Sequence, residues 1–299
     1  MENQPIIIDQ GLCTQCGICG KVCPRHIPET IEMGGKKQTR VCPERADICI
    51  YCGHCASVCA KSAITVDGIP AEGWLPPPVV DVTEDQLTRL FLHRRSVRRY
   101  REKPVPREVL QKIARASLLA PSATGRTTRG VLIVDDPSKL KEMMEFEYRT
   151  YEFLMAALKN PIARLLIKKK VGARLLHTLT DFLAPALKWY IKWHREGGGD
   201  ELRRDAPVVM LFHGAVLEPS IDETCMISVT YAVMMAEVLG VGTLVNGILP
   251  SACNQNKALK KFLGLPEDHE VFISLSMGYP KYEFKRLIPR FGGTVRFLE

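Results

Sequence analysis

The chain has 299 residues, 46% of them apolar, and a formal net charge of +8. This length holds a small domain and one of ordinary size, with the apolar fraction of a globular protein. No run of eighteen or so apolar residues occurs, which argues against a spanning helix, and the basic excess suits an anionic cofactor, an acidic partner or a membrane surface without itself arguing for nucleic acid.

The first predicted element is a short β-branched strand at Ile6-Ile7-Ile8. The segment Met1 to Gln10 lacks the positive start and apolar core of a signal peptide, so a cytoplasmic location is expected. Nine of the eleven cysteines follow within the first fifth of the chain. Cys13-x2-Cys16-x2-Cys19-x3-Cys23, followed by Pro24, repeats after 36 residues as Cys49-x2-Cys52-x2-Cys55-x3-Cys59. Three thiolates at this spacing can wrap three irons of one cubane, while the fourth points to the other cluster. The expected ligand sets are therefore Cys13, Cys16, Cys19 and Cys59 for one [4Fe-4S] cluster, and Cys49, Cys52, Cys55 and Cys23 for the other. The run resembles bacterial two-cluster ferredoxins, with Ala60 where the second copy usually carries proline. A structural zinc site would use pairs of cysteines rather than two groups of three plus a distant fourth, and disulfides would need an oxidising compartment. Cys42 has no slot in the pattern and reads as a spare thiol or as a substitute ligand. Ala63-Ile64-Thr65-Val66 is the strand that would pair with Ile6–Ile8. So small a domain, residues 1–68, needs its clusters as a staple.

A linker over residues 69–82 carries Pro76-Pro77-Pro78, which reads either as a stiff spacer or as chain punctuation. Thr83, with Glu84 and Asp85 after it, predicts a helix N-terminus, and Leu87, Leu90 and Phe91 an apolar face. Five arginines then fall in the eight residues Arg94–Arg101. Guanidinium forks suit phosphate, and a solvated basic face is the other reading. A second helix is predicted over Val105–Leu119, then the loop Ala120-Pro121-Ser122-Ala123-Thr124-Gly125 and a strand from Gly130 to Asp135.

In this order the segments resemble the nitroreductase family of FMN proteins. The resemblance implies that Arg94, Arg95, Ser96 and Arg98 meet the FMN phosphate, ribityl chain or ring edge, and that Pro121, Ser122 and Ala123 lie along the ring. The C-terminal half adds a strand at Ala206–Phe212, a Met-rich helix at Asp222–Leu239, the turn Gly240-Val241-Gly242-Thr243, and a strand ending in Gly278-Tyr279-Pro280. By resemblance Gly242 and Thr243 approach the flavin, and Arg286, with Arg290 in reserve, returns to its phosphate. Two features depart from the family. Gly125-Arg126-Thr127-Thr128-Arg129 stands where relatives carry an amide-containing stretch, which leaves Arg126 or Arg129 for the flavin edge. Residues 139–199 form a long helical insertion, read as a packed lid or, with Trp189, Tyr190 and Trp193, as a membrane-surface face.

The expected fold class is α+β: a ferredoxin-like two-cluster domain, then over residues 83–299 a nitroreductase-like domain with a mainly antiparallel sheet flanked by helices. The expected function is an iron–sulfur flavoprotein oxidoreductase. Electrons would pass from a low-potential donor, a ferredoxin-like protein or NAD(P)H, through two [4Fe-4S] clusters to FMN. The flavin N5 would then deliver hydride to a nitro compound, quinone or activated alkene. No general acid or base stands out, although Tyr148 or Tyr151 could supply a proton. A homodimer is implied, with no nucleic acid partner. The alternatives are a non-enzymatic electron carrier, or the same fold with other chemistry such as reductive dehalogenation.

Overall fold

The computed structural model describes residues 4–70, 73–288 and 293–298. Its contacts separate two units: Met1–Asp81 with Ser122–Thr128, and Val82–Pro121 with Arg129–Glu299.

In the first unit, β1 (Ile6–Ile8) pairs antiparallel with β4 (Ile64–Val66), Ile6 opposite Val66. The cysteine repeat is also a repeat of backbone conformation. Gly17 and Gly53, 36 residues apart, both take φ near +70° and start the short helices α1 (Ile18–Val22) and α2 (His54–Ser57). Gln15 and Tyr51 share a positive φ, as do His26 and Ser62, at the same offset. Non-glycine residues pay for that conformation, so its duplication marks a bend both copies require. Between the copies lies a hairpin that periodicity did not reveal: β2 (Pro28–Met33) and β3 (Lys36–Val41), joined across Gly34-Gly35. Adjacent glycines between β-branched residues are a hairpin signal that was present in the sequence. The apolar centre is small, built on Ile6, Ile27, Ile64 and Val66 with Cys19 and Cys55 among them.

The second unit is built on a four-stranded antiparallel sheet in the order β5-β6-β8-β7, where β5 is Gly130–Val134, β6 Val208–Ala215, β7 Gly242–Asn246 and β8 His269–Gly278. β6 is apolar from Val208 to Phe212 because both its faces are covered there. Val208, Met210 and Phe212 pack with α4 (Arg107–Leu118) and α8 (Ile221–Val238), while Val209 and Leu211 pack with the opposite layer. Ahead of α4, α3 (Glu84–His93) opens on the expected cap: Thr83 Oγ1 accepts from Gln86 N at 3.2 Å, and Gln86 Oε1 accepts from Thr83 N at 2.9 Å.

The insertion is α5 (Pro137–Lys159), α6 (Pro161–His177), a π-helical turn Thr178–Leu183 and α7 (Ala184–Arg195). Gly172, at φ +81° and ψ 166°, breaks α6. α5 and α7 are fastened together by Tyr148 stacked on His194 at 3.9 Å and by Arg195 on Glu152 at 2.7 Å. The apolar spacing expected to pack this insertion does so only in part. Leu176 and Leu187 are buried, whereas Ile162, Leu165, Leu166 and Phe182 stay exposed. No helix is long and apolar enough, among the described residues, to cross a membrane.

Beneath α5 lies a buried charge cluster with one carboxylate too many. Arg203 Nε donates to Asp200 at 2.5 Å, and the backbone N–H groups of Leu202 and Arg203 also donate to Asp200. Glu147 stands 3.5 Å from the same nitrogen with neither oxygen hydrogen-bonded, and burial pushes its carboxyl up to about 8. The folded carboxyl therefore keeps a proton between its ordinary value of 4.5 and about 8, while the unfolded one loses it. Stability should fall across that window as pH rises, by up to about 1.4 kcal/mol per pH unit. Glu147→Gln is expected to flatten the slope, read as melting temperature against pH.

Candidate functional site

Each unit carries its own constellation. In the first, Cys23, Cys49, Cys52 and Cys55 line one cavity together with Ile6, Ile27, Tyr51 and Val66. Cys23 thus stands with the second motif rather than with its own three neighbours. Backbone N–H groups point at the thiols: Ile27 N to Cys23 Sγ at 3.3 Å, Ala63 N to Cys59 Sγ at 3.3 Å and Tyr51 N to Cys49 Sγ at 3.4 Å. The first two are the same bond in the two copies, 36 residues apart. Burial pushes the Cys55 thiol up to about 12, and the neighbouring Cys23, Cys52 and Cys49 add to the rise. Cys19 is raised by burial, with Cys13 and Cys16 adding to it. Such thiols are protonated without metal, so a cluster must displace protons to enter. All-sulfur donors, apolar walls and N–H groups aimed at sulfur fit an iron–sulfur cubane. Among the described residues no three His, Cys, Asp or Glu side chains converge on a single ion. Cubane ligands each take a separate iron at a separate corner and need not converge in that way. Cys42 is buried, its N–H bonded to Ile27 O at 2.8 Å, and it does not line the cavity.

The segment Ser122–Thr128 belongs to this unit although its sequence interrupts the second. Gly125 N donates to Ile50 O at 2.8 Å, and a side chain on Gly125 would collide with Tyr51 O. Arg126 lies 3.7 Å over the Tyr51 ring and pairs with Asp67. Gly125 and Arg126 thus touch the second cysteine motif, Ser122 and Ala123 belong to the same unit, and Pro121 belongs to the second. None of Pro121, Ser122 and Ala123 lines either cavity described next. Arg126→Gln removes a fixed cation beside Tyr51. It should lower the reduction potential of a cluster held by Cys23, Cys49, Cys52 and Cys55, on the order of tens of millivolts because Asp67 and solvent offset part of the charge. A redox titration followed by electron paramagnetic resonance measures it.

In the second unit the arginine run acts as an added strand. Val97 N donates to Thr243 O at 2.9 Å, Arg101 N to Tyr279 O at 2.9 Å, and Lys281 N to Arg99 O at 3.0 Å. Ser96 pairs in parallel with Thr243. These bonds join three segments far apart in sequence around two adjoining cavities. One, of about 490 Å³, is lined by Arg95, Val97, Arg101, Gly240, Gly242, Tyr279, Lys285 and Arg286. The other, of about 420 Å³, is lined by Arg94, Arg95, Ser96, Arg98, Arg99 and Phe284. Gly242 is where the turn touches the run: a Cβ there would lie 2.6 Å from Val97 Cγ2 and 3.0 Å from Pro280 Cγ. Thr243, behind it, is buried and contributes its carbonyl to the run.

Arg95 is common to both cavities. Its Nη1 donates to the Leu92 and Arg94 carbonyls, each at 2.9 Å, and holds the guanidinium rigid. Its Nε is buried with no hydrogen-bond partner among the described residues. A buried N–H of a cation without an acceptor is costly, so an anionic or carbonyl acceptor brought beside Arg95 would stabilise it. Arg99 is engaged elsewhere, on Glu201 at 2.7 Å. Arg290 lies outside the described residues. Arg101, Tyr279 and Lys285 were not singled out from sequence, although the first continues the run and the second belongs to the Gly-Tyr-Pro end of β8. Tyr148 and Tyr151 line neither cavity. Both are buried in the layer on the other face of the sheet. Arg129 serves the scaffold, donating to the Leu118 and Ala120 carbonyls at the end of α4 and to Ser228 on α8.

A profile of the nitroreductase family matches residues 92–279, the span that holds the arginine run, the sheet and Gly278-Tyr279 at its end. The chain belongs to the nitroreductase family. A profile of the 4Fe-4S binding domain matches residues 6–29. Among solved structures, a nitroreductase with bound FMN from Bacteroides fragilis NCTC 9343 superposes with a TM-score of 0.53 at 20% identity, over 73% of this chain and all of that one, so the fold is shared. A candidate NADH dehydrogenase/NAD(P)H nitroreductase of Archaeoglobus fulgidus is 26% identical over 67% of this chain and 88% of its own length. An iron-sulfur subunit of the CoB–CoM heterodisulfide reductase of Methanocaldococcus jannaschii is 32% identical over 24% of this chain, a match spanning only 13% of that protein. The chain thus joins a nitroreductase-family domain of α+β fold to a 4Fe-4S binding domain.

Proposed function

We propose that this nitroreductase is fed by two [4Fe-4S] clusters, one on Cys13, Cys16, Cys19 and Cys59 and one on Cys49, Cys52, Cys55 and Cys23. When bound, the clusters supply single electrons from a low-potential donor, and FMN supplies their conversion to hydride for a nitro compound, a quinone or an activated alkene. Arg95 is assigned to a flavin oxygen or the FMN phosphate, with Arg94, Ser96 and Arg98 around it and Arg286 opposite. Gly242 lets backbone approach the flavin, with Thr243 fixing the run behind it.

The observation that carries this reading is the convergence of the arginine run, the Gly242 turn and the Gly-Tyr-Pro end on one cavity, lined by Arg95, whose buried Nε has no hydrogen-bond partner among the described residues. The same chain carries two cysteine copies with matching strained backbones. No hydroxyl or carboxylate with a catalytic setting is needed, because the protein's part is to bind, orient and exclude water. A homodimer belongs to the same proposal, since α8 leaves Met226, Tyr231 and Val238 exposed.

The test is anaerobic purification with assay of iron, sulfide and FMN, followed by stopped-flow reduction with a ferredoxin or NAD(P)H and turnover on nitroaromatics, quinones and enones. About eight irons and one FMN per chain, with steady turnover, support the proposal. Flavin reduction by the protein donor without turnover on any small acceptor would mean an electron carrier instead.

A further inference from the structure

The insertion offers a second surface that the flavin chemistry does not use. From Phe153 to Thr180 the sequence has no carboxylate, yet it carries Lys159, Arg164, Lys168, Lys169, Lys170 and Arg174. On the same helix Ile162, Leu165 and Leu166 fall at i, i+3 and i+4, so they form one apolar stripe. The stripe is not part of the core: Ile162 is 72% exposed, Leu166 61%, and Phe182 in the following turn 77%. Trp189 and Trp193, stacked 5.7 Å apart on α7, are half exposed as well. Five cations, Arg164 to Arg174, and an uncovered aliphatic stripe on α6 satisfy neither a packed lid nor a plain solvated face.

We propose that α6 and the turn after it dock on an anionic lipid surface, with the apolar stripe at the acyl boundary and the cations among the headgroups. Charge decides between occupants. A second copy meeting this face symmetrically would set the cationic segment against itself. Nucleic acid would take the lysines and leave the isoleucine, leucines and phenylalanine in water. An anionic bilayer takes both, and indoles suit its interface. The helix is too charged to span, so the contact is peripheral.

The experiment is flotation of the cluster- and flavin-loaded protein with vesicles of phosphatidylcholine alone or rich in phosphatidylglycerol. Binding to the anionic vesicles should exceed binding to neutral ones by at least about tenfold and weaken with salt. Replacing Lys168, Lys169 and Lys170 by Gln should weaken it by roughly 100-fold. The triple variant L165S/L166S/F182S should abolish it, with iron and FMN content unchanged. The proposal is overturned if the wild type ignores both vesicles, or if neither variant changes binding. It is also overturned if the serine variant changes the oligomeric state by light scattering, which would make this face a contact between copies. Equally tight DNA binding that needs the lysines but not the apolar residues would overturn it too.

Discussion

Cys23→Ser should cost the protein the cluster of the second motif, and Cys59→Ser that of the first. Each variant is expected to retain about four of about eight irons, and the two should lose different paramagnetic signals. The crossed assignment rests on geometry as well as on spacing. Cys23 shares its cavity with Cys49, Cys52 and Cys55, and its sulfur receives the Ile27 N–H as Cys59 receives that of Ala63. An uncrossed arrangement predicts the opposite loss in each variant, and one cluster per chain predicts no partial state. The effect on structure should be large too. The apolar centre of this unit holds few aliphatic side chains, too little to fold so small a domain alone. Removing one cluster should therefore expose the unit to proteolysis, while the nitroreductase sheet, with its own core on both faces, remains resistant. Reduction of the flavin by a protein donor should slow sharply, and reduction by dithionite should persist.

What the sequence made legible follows from how local each signal is. The cysteine repeat, the Thr83 cap and the apolar run of β6 are written in a few adjacent residues, and each appears in the structure at the expected place. Convergence of the arginine run with Gly242 and Tyr279 is not local. Composition left phosphate and solvent as equal readings of those arginines, and only the strand-like bonds from Val97 to Thr243 and from Arg101 to Tyr279 bring them to one cavity. The hairpin between the cysteine copies gave no periodic signal because Pro28–Met33 and Lys36–Val41 alternate weakly and carry many charges. The leucines of the insertion have helical spacing whether or not anything covers them. Periodicity predicts a helix there and says nothing about its partner.

Arg95→Ala should raise the FMN dissociation constant by about 10- to 100-fold, the worth of a hydrogen bond to a charged group. The guanidinium is already held by the Leu92 and Arg94 carbonyls, so little ordering cost remains when a ligand arrives. Arg95→Lys should not rescue binding, because an ammonium cannot hold both carbonyls and still present an N–H at the same place. Arg99→Ala is the control, since that side chain is committed to Glu201 and its loss should change affinity far less. Gly242→Ala attacks the same cavity from the other wall. The new methyl would sit 2.6 Å from Val97 Cγ2, and Val97 is stiff, buried and bonded through its N–H to Thr243. The arginine run must then peel from β7, at about 1–3 kcal/mol of strain. Titration of the flavin-free protein with FMN, followed by fluorescence quenching, measures all four variants. Unchanged affinity in both Arg95→Ala and Gly242→Ala, with the fold intact by circular dichroism, would move the flavin away from this cavity.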